Sequence, residues 1–186
     1  SQVNPKSKPV GDYLLYTGNL YPHKNIKVII QALRSLPKLK LKIISARSFF
    51  THQVEAEAKQ NQVSNQIEFL GYIPDSQFKR IYSQAIALVH PSFMEGFSLT
   101  GLEAMALGCP VISSNSSCLP EIYQDSVLYF DPYKPSQLVK QITRLLKTPN
   151  LRRQLIQKGC LQINKYSWDN TAKKTLSVYQ KTLNDR

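Results

Sequence analysis

Glu95 and Glu103 bracket the run Gly-Phe-Ser-Leu-Thr-Gly-Leu, so two acids stand with seven small, polar and apolar residues between them. A helix starting near Ser98 or Thr100 leaves Glu95 in the loop before it and puts Glu103 one turn in. Eight helical residues rise about 12 Å. That span suits the two ends of a nucleotide sugar, with its diphosphate in the middle. The backbone N–H groups of Phe97, Ser98, Leu99 and Thr100 then stand at the helix mouth, where unsatisfied donors and the helix dipole attract phosphate. Gly96 lets the backbone approach a ligand closely, and Gly101 keeps the first turn slim. Each carboxylate can accept from paired hydroxyls such as those of a sugar or a ribose. The same residues also read as plain helix chemistry. Thr-Gly-Leu-Glu is a capping box with Thr100 as N-cap, and Glu95 favours a helix N-terminus by its charge alone.

The surrounding pattern supplies the elements that must position these residues. Strand-like runs at 12–18, 39–46, 66–71, 86–92, 110–114 and 126–132 alternate with helix-like runs at 25–36, 49–63, 74–85 and 99–108. Ile26, Ile29, Ile30 and Leu33 share one helical face, with Asn25 as the expected N-cap. Pro74 and Asp75 open the third helix, and Gly108 with Pro110 stops the fourth. From Pro135 the pattern is helical to the end, a basic tail that no strand follows. The expected fold class is therefore α/β, a parallel sheet with helices on both faces and a helical C-terminal tail. Such sheets bind ligands at the carboxyl ends of their strands.

A length of 186 residues suits one domain with a real core. Residues 1–11 are polar and read as a linker or a truncated start, leaving 12–186 as the domain. No run is apolar and long enough for a membrane helix or a secretory leader. Three cysteines in no metal or redox spacing read as reduced thiols of a cytoplasmic domain. The formal net charge of +12 points to anionic partners, or to a solvated basic face.

The stretch HPSFMEGFSLTGLEAMALGCPVISSNSSCLPEI, residues 90–122, resembles the signature of retaining glycosyltransferase family 4. Members have the GT-B fold, two Rossmann-like domains facing a cleft, and the likeness is to the donor-binding C-terminal domain. YLLYTGNLYPHKNIKVIIQAL resembles that domain's first strand, loop and helix, IEFLGYIPDSQFKRIYSQAIALVHPS its middle, and YSWDNTAKKTLSVY its closing helix. The resemblance runs from Tyr13 to Tyr179. It implies a Rossmann-like domain that binds a nucleoside-diphosphate sugar, such as a UDP- or GDP-sugar, and passes the sugar to a polysaccharide, lipid or other glycan. It implies no cofactor beyond that donor substrate. It also implies a separate N-terminal acceptor-binding domain and little transfer by this domain alone.

Carried over residue by residue, Glu95 contacts the hydroxyls of the transferred sugar and Glu103 the ribose hydroxyls. Gly96, Phe97, Ser98, Leu99 and Thr100 form the loop that meets phosphate and sugar. Lys24 grips the diphosphate. Glu95 and Lys24 are the catalytic candidates, and Gly18 and Asn19 complete the first loop. Tyr72 and Ile73 meet the base through backbone groups. The family often has Gly-Arg where this chain has Gly18-Asn19, which leaves Lys24 with less cationic help unless Arg47 supplies it.

Other residues bear less chemistry. His90, alone before Pro-Ser, reads as a packed histidine or as a residue lining the cleft. His23 and His52 have no metal-ligand spacing and no Asp-x-Asp occurs, so no metal is expected. Ser113 to Ser117 form a polar loop after a strand, which could hydrogen-bond a ligand or be a loop and nothing more. Tyr123, Tyr129 and Tyr133 read as packing residues, and Trp168 as the anchor that packs the last helix on the domain. The Lys and Arg of 140–186 suit either a solvated face or an anionic membrane surface, which would make the protein peripheral to a membrane. Two other functions remain open: a non-catalytic nucleotide-sugar-binding module that needs a separate acceptor-domain partner, and a basic nucleic-acid binder. The second lacks any reading motif, so nucleic acid is not the expected partner.

Overall fold

The computed structural model describes residues 11–184. Six strands, β1 (Tyr13–Thr17), β2 (Lys40–Ile44), β3 (Ile67–Phe69), β4 (Leu88–His90), β5 (Val111–Ser114) and β6 (Leu128–Phe130), make one sheet in the order β3-β2-β1-β4-β5-β6. Every neighbouring pair is parallel; Leu15 of β1 lies opposite Lys42 of β2 on one side and Leu88 of β4 on the other. This is the doubly wound Rossmann order, with its reversal point between β1 and β4.

The central strands β1, β4 and β5 are almost wholly buried because both faces are covered, while the outer β2 and β3 carry Lys40, Lys42 and Glu68 at exposed or half-exposed positions. Leu14 and Tyr16, Leu41 and Ile43, Val89, Ile112, Leu128 and Phe130 point into one core, under α1 (Ile26–Leu33), α2 (Phe49–Gln60) and α6 (Pro135–Lys147). Tyr13, Leu15, Leu88 and Val111 point into the other, under α3 (Asp75–Gln84), α4 (Leu99–Ala106) and α5 (Leu119–Tyr123). α7 (Pro149–Ile163) crosses behind α4, where Gly159 lets it approach Met105. The expected helical C-terminal region is present, and its first two helices pack on the domain: α6 on α1, and α7 on α4. α8 (Trp168–Asn184) ends it. No residue of α8 is buried, and Trp168 is 77% exposed, so it does not anchor the helix.

Local details depart from the pattern. The second helix stops at Gln60, and Gln62 turns left-handed with φ 59°. α5 has no counterpart in the periodicity because its five residues are too few to show one. Asn25 occupies the N-cap position of α1, yet its φ is 53° and its side chain caps nothing. Its Nδ2 instead donates to the Pro91 and Pro132 carbonyls at 3.1 and 3.0 Å. One buried amide therefore fastens the loops after β4 and β6 to the start of α1. Asn25→Ala strands both carbonyls and puts a Cβ-bearing residue without a compensating side chain in the left-handed region. The expected loss is about 3 kcal/mol, measured as a shift in urea midpoint.

The expectation for residues 1–11 falls outside the described residues except at Gly11, whose N–H donates to the Gln84 carbonyl at 3.1 Å.

Candidate functional site

Loops leaving the carboxyl ends of β1 and β4 meet at the reversal point. After β1 the chain passes Gly18 (φ 139°) and Asn19 into a 3-10 turn at Pro22–Lys24. After β4 it passes Pro91, Ser92, Phe93 and Met94 to Glu95. The Phe93 N–H donates to the His23 carbonyl at 2.8 Å, which locks the two loops together. Lys24 and Glu95, 71 residues apart in sequence, meet there: the ammonium Nζ lies 2.8 Å from Oε1 and 2.9 Å from Oε2. Their side chains are 20% and 10% exposed.

Four further side chains hold Glu95, two at its carboxylate and two at its backbone carbonyl. His90 Nε2 lies 2.9 Å from Oε1, and the Ser92 hydroxyl donates to the same oxygen at 2.7 Å. The loop after β5 fixes the backbone: Ser117 Oγ donates to the Glu95 carbonyl at 2.9 Å, and Cys118 Sγ lies 3.3 Å from it. Ser114 Oγ donates to the Ser92 carbonyl at 2.6 Å. Burial by itself would raise the Glu95 pKa. The hydrogen bonds from His90, Lys24 and Ser92 outweigh it and hold the carboxyl down at about 2.

Behind Glu95, His90 is 7% exposed and its Nδ1 lies 2.9 Å from the Tyr123 hydroxyl and 3.0 Å from Ser98 Oγ. Tyr123 is fully buried, and its hydroxyl also accepts from the Gly101 N–H at 3.2 Å. Burial pushes this phenol far above its ordinary pKa, so it stays a neutral donor and acceptor.

α4 begins differently from the capping-box reading. Its N-cap is Ser98, in the left-handed region with φ 75° and with no side-chain cap bond. Thr100 is already the second helical residue, too far along to cap, and among the described residues the Glu103 carboxylate has neither a hydrogen bond nor an ion pair. Glu103 is exposed one turn into the helix. Among the described residues no protein acceptor is recorded for the N–H groups of Phe97, Ser98, Leu99 or Thr100. Phe97 and Leu99 are 41% and 47% exposed, so this mouth is open to solvent.

On the β2–β3 side of the reversal point lies a cavity of about 570 Å³. Gly18, Asn19, Tyr72 and Ile73 line it, together with Thr17, Ile44 and Phe78. Ile73 is buried in its wall while Tyr72 is 87% exposed at its rim. The size lies in the usual range for small-molecule pockets. Arg47 is exposed and is not among the residues lining the cavity.

The expected donor-site residues therefore lie on the loops at the carboxyl ends of the strands and in the first turns of α4, in two groups on either side of β1. Ser92, Tyr123 and Cys118 were not assigned to the site from sequence, and His90 and Ser117 entered only as a residue that could line the cleft and as part of a polar loop. His90 and Ser92 carried a faint mark, polar residues ending an apolar strand within five positions of Glu95. Tyr123 carried none. Among the described residues no three His, Cys, Asp or Glu side chains gather as metal ligands, and no helix is long and apolar enough to cross a membrane.

Comparison with known proteins bears on this arrangement. O-antigen chain mannosyltransferase B of Escherichia coli is 32% identical over 173 residues, covering 90% of this chain and 45% of that protein. Sucrose-phosphate synthase of Thermosynechococcus elongatus matches with a TM-score of 0.86 at 23% identity, over 97% of this chain and 47% of that one. HepE of Anabaena, solved in complex with UDP, matches with a TM-score of 0.81 at 15% identity, over 91% and 49%. The two structures share the fold, the Rossmann-like sheet expected of half a GT-B enzyme. The chain spans about half the length of each of these relatives. The profile described as "Glycosyl transferases group 1" matches residues 3–161, which take in β1 to β6 and the whole Lys24–Glu95 site, and with the E. coli relative it establishes that the chain belongs to the glycosyl transferases group 1 family.

Proposed function

We propose that this chain is the donor-binding domain of a retaining glycosyltransferase of family 4, which takes a sugar from a nucleoside-diphosphate sugar and passes it to a polysaccharide, lipid or other glycan acceptor. The observation that carries this reading is the Lys24–Glu95 pair beside the open α4 mouth. A cation and free N–H donors suit the diphosphate, and a carboxylate beside them suits the sugar, the two parts of the donor between which the bond breaks. The nucleoside enters the cavity lined by Gly18, Asn19, Tyr72 and Ile73, and the unpaired Glu103 carboxylate takes the ribose hydroxyls. The N–H groups of Phe97 to Thr100 receive the diphosphate. Lys24 grips the same diphosphate, and Glu95 takes hydroxyls of the sugar.

In retaining transfer the diphosphate departs as the sugar gains oxocarbenium character. Lys24 and the helix-mouth donors are fixed before reaction and stabilise the charge that develops on the leaving group. Glu95, its carboxylate held by the side chains of Lys24, His90 and Ser92, keeps the sugar in register for attack. The UDP held by HepE and the mannosyl transfer named for the E. coli relative support a nucleotide-sugar donor and a surface-polysaccharide acceptor. The acceptor would be bound by a separate N-terminal domain, so residues 12–186 alone would turn over little substrate. The basic C-terminal helices suit a cytoplasmic enzyme peripheral to an anionic membrane.

Calorimetric titration of this chain with UDP, GDP and ADP tests the reading. One nucleotide is expected to saturate a single site, and Glu103→Ala is expected to weaken it about 10- to 100-fold by removing charge-assisted hydrogen bonds. Binding that is indifferent to Glu103→Ala, or no binding at all, overturns the assignment.

A further inference from the structure

The bonding around Glu95 is unequal between its two oxygens. Oε1 accepts from Lys24, His90 and Ser92; among the described residues Oε2 accepts from Lys24 alone. A departing Lys24 would therefore leave Oε1 satisfied and Oε2 bare. Lys24 is also the group with the stronger claim elsewhere, because a diphosphate carries more negative charge than one carboxylate and draws the ammonium to it.

The histidine is built to stay behind. His90 is the last residue of β4, held in the sheet by the parallel pairing His90–Ser113. Its Nδ1 is met by the hydroxyls of Tyr123 and Ser98, either of which can donate to it. A neutral ring whose Nδ1 accepts in this way carries its proton on Nε2, the nitrogen facing Glu95. Tyr123 cannot drift, since its ring is fully buried and its hydroxyl also takes the Gly101 N–H. Ser98 is held in turn at the N-cap of α4. The chain thus runs from the helix mouth through Ser98 and Tyr123 to His90 and on to Oε1.

Resting on the donor-site reading above, we infer that His90 is a positioning residue that clamps Glu95 through Oε1, so that when the diphosphate takes Lys24, Oε2 is handed to a sugar hydroxyl without the carboxylate moving. Lys24 and Oε2 exchange partners, while His90, Ser92 and Oε1 keep theirs. The device gives the site a sugar-dependent affinity increment that free nucleoside diphosphate does not share.

The experiment compares UDP with UDP-glucose and GDP with GDP-mannose by calorimetric titration of this chain, unsubstituted and as His90→Phe and His90→Gln. In the unsubstituted chain the nucleotide sugar is expected to bind more tightly than its free diphosphate. His90→Phe is expected to cut that increment about 10-fold, as loss of a charge-assisted hydrogen bond does, while affinity for the free diphosphate stays within about two-fold. His90→Gln, whose amide N–H can reach Oε1, is expected to restore most of it. An increment untouched by His90→Phe overturns the inference, as does a parallel loss of both affinities that His90→Gln does not rescue, which would mark His90 as a packing residue only. An unsubstituted chain that binds the diphosphate but gains nothing from the sugar overturns the inference alone. One that binds no nucleotide overturns the donor-site reading and this inference together.

Discussion

Glu95→Ala is expected to cost about 3 kcal/mol of stability and, in a transfer-competent form of the protein, about 100-fold or more in rate. The stability loss follows from what is left behind. His90 Nε2 and Ser92 Oγ lose a buried acceptor, and the Lys24 ammonium, 20% exposed, loses its counter-charge. Lys24 can swing toward water, which keeps the loss at the lower end for a broken ion pair. The rate loss is a positioning effect, because the residues around the carboxylate remain but nothing orients the sugar.

The carboxylate also makes stability depend on pH. Glu95 titrates at about 2 in the folded chain, against an ordinary value of 4.5. As the pH falls, the unfolded chain takes up this proton first. The contribution is therefore fully present above about pH 4.5 and is lost as the pH falls through about 2; it amounts to about 3 kcal/mol. Urea midpoints recorded for the unsubstituted chain and for Glu95→Gln across this window check it. The difference between the two should shrink as the pH falls, and a difference that is constant or grows toward acid would refute the account.

Gly101→Ala is expected to destabilise the protein by about 2–3 kcal/mol, lowering its melting temperature by about 5–10 °C. The sign is worth deciding by magnitude. Alanine in a helix interior normally gains up to about 1 kcal/mol over glycine. Here a Cβ would lie 2.2 Å from the Tyr123 hydroxyl oxygen and 2.3 Å from Cζ. The Tyr123 ring is fully buried and cannot retreat, so overpacking wins. Tyr123→Phe in the same chain should not rescue it, since Cε1 lies at 2.7 Å and Cζ remains. Thermal melts of the single and double variants check both statements; an unchanged or raised melting temperature for Gly101→Ala would refute them. Gly101 is therefore small for a reason other than a slim helix mouth: it makes room for the tyrosine that orients His90.

Much of the architecture was legible in the chain. Parallel strands buried on both faces leave short continuous apolar runs, and amphipathic helices leave a 3.6-residue period, so β1 to β6 and the long helices stand out. α5 did not, because one turn of helix carries no period. The site residues on the two loops were legible too, as residue types and as a family motif. Local reading failed at the polar networks. Thr100 and Glu103 satisfy the capping-box pattern, yet the left-handed Ser98 starts α4 two residues before Thr100 and leaves Glu103 free. Asn25 satisfies the N-cap pattern, yet two distant carbonyls claim its amide. Trp168 is apolar and large, yet it lies exposed on a helix with no buried residue.

The element types, the α/β class and the family can be read along the chain, because each rests on patterns a few residues long or on a contiguous motif. Which side chains face each other depends on the packed fold. Lys24 meets Glu95 because β1 and β4, far apart in the chain, are neighbours at the sheet's reversal point. His90 serves Glu95 because Tyr123, on a helix that no periodicity announced, reaches back under α4 to hold its other nitrogen. Hydrogen bonds act over about 3 Å in space regardless of separation in sequence, so a network of this kind exists only once the strands have been ordered and both faces of the sheet packed.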